Sequence, residues 1–78
     1  MRHHVRYSLT RRRPETVIRK VKGDYSRTGF ALFDVATQKQ LDLYMNPDAK
    51  MAFRILSRRS RDLGYRTPQF EDVDRATA

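Results

Sequence analysis

The chain has no cysteine and only two histidines. Without thiols there is no disulfide and no thiolate-held metal, a composition that fits a reducing compartment. His3 and His4 are adjacent. Neighbouring strand positions point to opposite faces, so they make a poor metal pair. No nucleophile elbow, P-loop or HExxH motif is present. Neither a metal nor a cofactor is expected, and a non-enzymatic role follows; the one catalytic alternative is chemistry run on Arg, Lys and Tyr alone. No apolar run exceeds five residues, the longest being Gly29–Phe33, which excludes a membrane-spanning helix. The first residues, MRHHVRYSL, lack the apolar region of a signal peptide. Cytoplasmic residence is therefore the default expectation.

Acidic residues are also scarce. Nine Asp and Glu face 17 Lys and Arg, a net charge of +8 over 78 residues, and 13 of the cations are Arg. Arg presents a planar fork of donors that suits phosphate. The charge is segregated. Residues 1–27 hold nine basic and two acidic groups, and residues 49–66 hold six and one. A chain this short forms one domain, whose core rarely yields more than about 3–5 kcal/mol of net stability. A second copy of the chain or another partner would add to that.

Apolar residues alternate in two central runs, Phe30–Val35 and Leu41–Met45, across a polar link, Ala36–Gln40. This spacing predicts a β-hairpin. Ala31, Phe33 and Val35 share one face, with Phe30 and Leu32 on the other. Leu41, Leu43 and Met45 share a face against Asp42 and Tyr44. Pro47–Leu63 predicts an amphipathic helix, with Asn46 as its cap, Pro47 at its first position and Gly64 as its stop. Ala49, Ala52, Phe53, Leu56 and Leu63 would form its buried stripe, widened by Met51 and Ile55. Lys50, Arg54, Arg58 and Arg61 recur down its outer face as a basic stripe.

The flanks are less determined. Val5, Tyr7 and Leu9 alternate, as in a first strand or an extended basic arm ending in Arg11, Arg12 and Arg13. Pro14–Gly23 fits a helix by its ends and a strand by its β-branched Thr16, Val17, Ile18 and Val21, and strand is favoured. In a strand, Val17 and Val21 point one way and Ile18, Lys20 and Lys22 the other, so Arg19 must snorkel. Asp24–Thr28 reads as a turn. The domain is expected to cover residues 1–66, with a flexible acidic tail over 67–78, in which Phe70 could dock on the core.

Two family resemblances follow. Asp34-Val35-Ala36-Thr37-Gln38-Lys39, followed by Asp48–Leu56, resembles the D-x-x-T-x-K hairpin and alanine-bearing helix of the amino-terminal DNA-binding domains of some phage and transposon integrases. That resemblance implies a three-stranded sheet facing the major groove with Arg19, Lys20, Lys22, Arg27 and Lys39. The hairpin glycine of that family is Gln38 here, and Asp42 interrupts the cationic face. Arg2 and Arg6 in an R-x-x-x-R spacing, with Asp24, Ser26 and Gly29 later, resemble the PilZ pattern, which implies a cyclic dinucleotide.

The fold expected is a small α+β domain: an antiparallel sheet of three or four strands with one C-terminal amphipathic helix on one face. The function expected is a non-enzymatic module, plausible as a regulator, that binds DNA or RNA through phosphates. Its contacts would be Arg11, Arg12, Arg13, Lys20, Lys22, Lys50, Arg54, Arg58 and Arg61. Tyr7, Tyr25 and Tyr44 could stack on bases or sit half-buried in the sheet. The alternative is a protein-binding regulator or inhibitor of a host enzyme, of the kind phages and plasmids encode.

Overall fold

The computed structural model describes residues 13–71. In chain order these form β1 (Thr16–Lys22), a short 3₁₀ turn (Asp24–Ser26), β2 (Thr28–Asp34), β3 (Gln40–Tyr44), α1 (Ala49–Asp62) and β4 (Gln69–Phe70). The segment open between helix and strand is the strand β1. Its β-branched side chains pack on a pleated surface at no rotamer cost. The arm before it, with His3, His4, Val5, Tyr7 and Leu9, lies outside the described residues.

The sheet has four strands in the order β3-β2-β1-β4. β2 pairs antiparallel with both neighbours, whereas β4 runs parallel to β1, with Val17 opposite Gln69 and Ile18 opposite Phe70. Two expectations are corrected here: the sheet is mixed rather than antiparallel, and the helix is followed by a strand rather than ending the fold. The cause is where α1 stops. Ser60, in its last turn, meets Thr16 at the start of β1. The departing chain therefore enters the sheet edge at that end and runs alongside β1. Residues 67–71, expected to be tail, bury Pro68 and supply β4.

The hairpin forms as the alternation predicts, with its strands shifted by a residue or two. Its turn is tied by Asp34, whose Oδ1 accepts from the Ala36 and Thr37 amides at 2.9 and 3.2 Å. Gln38 takes the left-handed backbone, φ 62°, that glycine usually supplies at such a point. A register shift between Leu32 and Phe33 alters the predicted faces. At this bulge Leu41 turns toward the core beside Tyr44 instead of lying with Leu43.

The helix starts later than predicted. Asp48, not Asn46, is its cap, accepting from the Met51 amide at 3.1 Å. Asn46 Oδ1 instead accepts from the Asp48 amide at 2.9 Å, one step earlier. Gly64 stops the helix at φ 92°, with the Gly64 amide on the Arg61 carbonyl and the Tyr65 amide on the Ser60 carbonyl. That paired closure is a Schellman motif.

The core is small: Ile18, Phe30, Leu32, Ala52 and Leu56, with Leu41 and Tyr44 against it. The predicted helix stripe was too wide. Ala49, Met51, Phe53, Ile55 and Leu63 are exposed, while Ser57 and Ser60 are buried. A short helix on a narrow sheet covers only one line of side chains, and small residues let it approach closely. Thr16 and Ser60 share a hydrogen bond of 2.7 Å there, and the Ser60 hydroxyl also reaches the Arg66 carbonyl at 2.6 Å.

Candidate nucleic-acid interface

The register decides which cations share a surface. Ile18 is buried in the core under α1, and strand alternation puts Lys20 and Lys22 on that same face of β1. Arg19 goes to the opposite face with Val17 and Val21. There it snorkels as predicted, with Cζ 4.9 Å from the Phe33 ring centroid and Nε 2.5 Å from Glu71 Oε1. The groove-facing set that the integrase resemblance implies is thus split between two faces. Among the described residues no element packs on that face, where Arg19 sits among Val17, Val21, Phe33 and Leu43 over a fully buried Ala31, a mainly apolar setting rather than a cationic one.

On the helix, Lys50, Arg54, Arg58 and Arg61 are all exposed. The two flanks of α1 are distinguishable by their contacts. Arg59 reaches Asp42 of β3 at 3.4 Å, marking the β3 flank. Phe53 stacks on Phe70, and Arg61 Nη1 donates to Thr67 Oγ1 at 3.5 Å, marking the β4 flank. Helical spacing places Lys50, Arg54 and Arg61 on the β4 flank, with Arg58 pointing more directly outward. Among the described residues, none of these four has a carboxylate partner, nor do Lys20 and Lys22.

The structure therefore gathers most, not all, of the predicted cations. Arg13 lies at the opposite end of β1 from Lys20 and Lys22, next to Pro14, whose carbonyl accepts from the Arg66 amide at 2.9 Å. Arg11 and Arg12 lie outside the described residues, as do Arg2 and Arg6. Three other arginines are held by the molecule's own carboxylates: Arg19 by Glu71, Arg59 by Asp42 and Arg66 by Glu15.

Two features add to the expected docking of Phe70 and the expected turn over Asp24–Thr28. An open hollow of about 390 Å³ is lined by Ala49, Lys50, Phe53 and Phe70. Its aromatic pair stacks with ring centroids 5.5 Å apart, and Phe70 also meets Phe30 edge-on at 5.9 Å. The only sequence signal was a phenylalanine among polar residues after Pro68. The second feature is the β1–β2 turn. Tyr25 and Ser26 both take left-handed backbone, φ 60° and 59°, closed by the Arg27 amide on the Asp24 carbonyl at 3.2 Å. This is the geometry of a type I′ turn, which normally demands Gly or Asn. The Tyr25 ring is 97 % exposed.

The titratable groups with shifted ionisation lie elsewhere. The Tyr65 hydroxyl donates to Asp34 Oδ2 at 2.8 Å. That bond, then the Thr37 and Ala36 amides, hold the Asp34 carboxyl below its ordinary range against an opposing effect of desolvation. The same bond, with burial, raises the Tyr65 phenol. The pair is a clasp between β2 and the chain leaving α1. Among the described residues no cluster of His, Cys, Asp and Glu could hold a metal ion, and no helix is long and apolar enough to cross a membrane.

No family model, curated protein or solved structure matches this chain. Neither resemblance drawn from the sequence is thus matched by a family model. The PilZ pattern also meets a geometric difficulty, because the described strands form an open sheet rather than a closed barrel.

Proposed function

We propose that this chain is a non-enzymatic nucleic-acid-binding module that engages phosphates through the β4 flank and outer face of α1. The observation that carries the reading is the run Lys50, Arg54, Arg58 and Arg61. It is exposed over the length of the helix, with no carboxylate within ion-pair distance among the described residues. Lys20 and Lys22 add charge on the same side of the sheet. Like charges three and four residues apart repel, so the stripe costs helix stability. A polyanion would relieve that repulsion and release its own counterions.

The test is fluorescence anisotropy with labelled duplex and single-stranded oligonucleotides at two salt concentrations. Affinity should fall on the order of tenfold or more from low to moderate salt. Arg54→Gln and Arg58→Gln should each lower the slope of log affinity against log salt by roughly 0.7–0.9. Undetectable binding at low salt, or an unchanged slope in both variants, would defeat the reading.

A second reading, a protein-binding regulator, is favoured by different residues. Met51 and Ile55 on α1 and Leu43 on the sheet face opposite it are exposed apolar side chains. Recovery of one protein partner after nuclease treatment, lost in Leu43→Lys or Ile55→Lys, would support it. Isothermal titration with a cyclic dinucleotide separately tests the PilZ pattern, and no heat at high micromolar ligand would discard it.

A further inference from the structure

We infer that the nucleic acid this module takes is single-stranded, and that an unpaired base seats on the Phe53–Phe70 pair in the hollow beside Lys50. The inference rests on the nucleic-acid reading above and adds the form of the ligand. The hollow's lining is two aromatic rings, a methyl group and one cationic side chain. A planar π-face meets aromatic carbon and the Lys50 methylenes there, while a phosphate attached to it lies at the rim, within the reach of the Lys50 ammonium beyond those methylenes. A duplex keeps its base faces stacked and can offer only phosphate to such a site. A single strand offers both.

Charge complementarity selects this occupant over a purely apolar one. Lys50 is in the first turn of α1, and Arg54 follows one turn later on the same flank. Lys20 is two residues along β1 from Ile18, the strand partner of Phe70, and on the same face. The sheet face that carries the hollow thus also carries cations of β1, besides those of the helix.

The strained turn lies at the same end. A Cβ on Gly23, just before the turn, would lie 2.8 Å from the methyl carbon of Met45, in the connection that leads into α1. Tyr25 itself is exposed at the tip of that turn, flanked in sequence by Lys22 and Arg27. A non-glycine residue in left-handed backbone costs energy, and such cost concentrates where a side chain must be presented. Tyr25 would supply a second stacking surface for a neighbouring base.

The experiment compares a labelled single-stranded oligonucleotide with one of equal length and charge carrying abasic sites, against the full chain. The abasic strand should bind about tenfold or more weakly. Phe53→Leu, which keeps apolar bulk and removes the ring, should shrink that ratio toward one, with folding checked by circular dichroism. Phe70→Leu, which removes the other ring of the pair, should do the same. Equal affinity for the two strands in the unaltered chain would overturn the inference while leaving the phosphate reading intact. An unchanged ratio in both variants would likewise overturn it. Self-association through the hollow, seen by sedimentation and lost in Phe70→Leu, would assign it to a second copy instead. Absence of binding to either strand at low salt would defeat the underlying nucleic-acid reading.

Discussion

The Tyr65 hydroxyl donates a hydrogen bond to Asp34 Oδ2 across 2.8 Å, joining the end of β2 to the chain that has just left α1. Asp34 also organises the hairpin turn through its other oxygen. One carboxylate thus holds two connections at the same end of the sheet. Its folded-state ionisation lies below the ordinary value, so it stabilises the fold above that ordinary value. The contribution is lost as pH falls through the folded value. The phenol, raised by the same bond, contributes below its ordinary value and loses that contribution as pH rises through the folded one. Tyr65→Phe should therefore lower the urea midpoint near neutral pH. The gap to the unaltered chain should close at strongly acidic and strongly alkaline pH. Parallel midpoint-versus-pH curves for the two proteins would disprove the clasp.

The buried serines of α1 should respond in opposite directions. Ser57 Oγ has no hydrogen-bond partner among the described residues. Removing it in Ser57→Ala eliminates an uncompensated desolvation cost and improves helix propensity. A gain of about 1 kcal/mol in unfolding free energy is expected. Ser60 is fully buried and bonded to both Thr16 and the Arg66 carbonyl. Ser60→Ala should cost about 1–3 kcal/mol, because its partners are left under-satisfied. Chemical denaturation of the two variants in parallel decides the matter.

The β1–β2 turn offers a stability gain at a functional cost. Replacing Tyr25 with Asn places a residue that tolerates left-handed backbone at the first central position of the turn. Tyr25→Asn should stabilise the fold by about 1 kcal/mol. It should also reduce the preference for a normal over an abasic strand. A thermal melt and the paired binding measurement together separate the two effects.

Gly29 is required by space, not by its backbone angles. A Cβ there would sit 2.4 Å from the Met45 sulfur and 2.9 Å from both Met45 Cα and the Tyr44 carbonyl. Two of these neighbours are main chain and cannot swing aside. Gly29→Ala should therefore destabilise by about 2–3 kcal/mol, within the range for overpacking a tight site. A denaturation midpoint equal to that of the unaltered chain would show that β3 shifts freely.

The residues differ in how much they declared beforehand. The period-two runs around Phe30–Val35 and Leu41–Met45, the helix, its stop at Gly64 and the exposed basic stripe are local properties. Each follows from side-chain alternation, helical spacing or backbone freedom within a few residues. The snorkelling of Arg19 was legible for the same reason. The cap was not, because Asn46 and Asp48 are both competent. Only the entry angle of the chain chose between them.

What the chain's order of residues determined by itself was the inventory: one small α+β unit, strongly cationic, with a helix basic on one side. What the tertiary structure alone decided was adjacency. Phe70 meets Phe53 only because α1 ends beside the start of β1, which sends the last strand parallel along that edge. Leu41 parts from Leu43 at a bulge that the pairing with β2 sets. Such relations depend on the closing of long loops, and no short window of sequence carries that information.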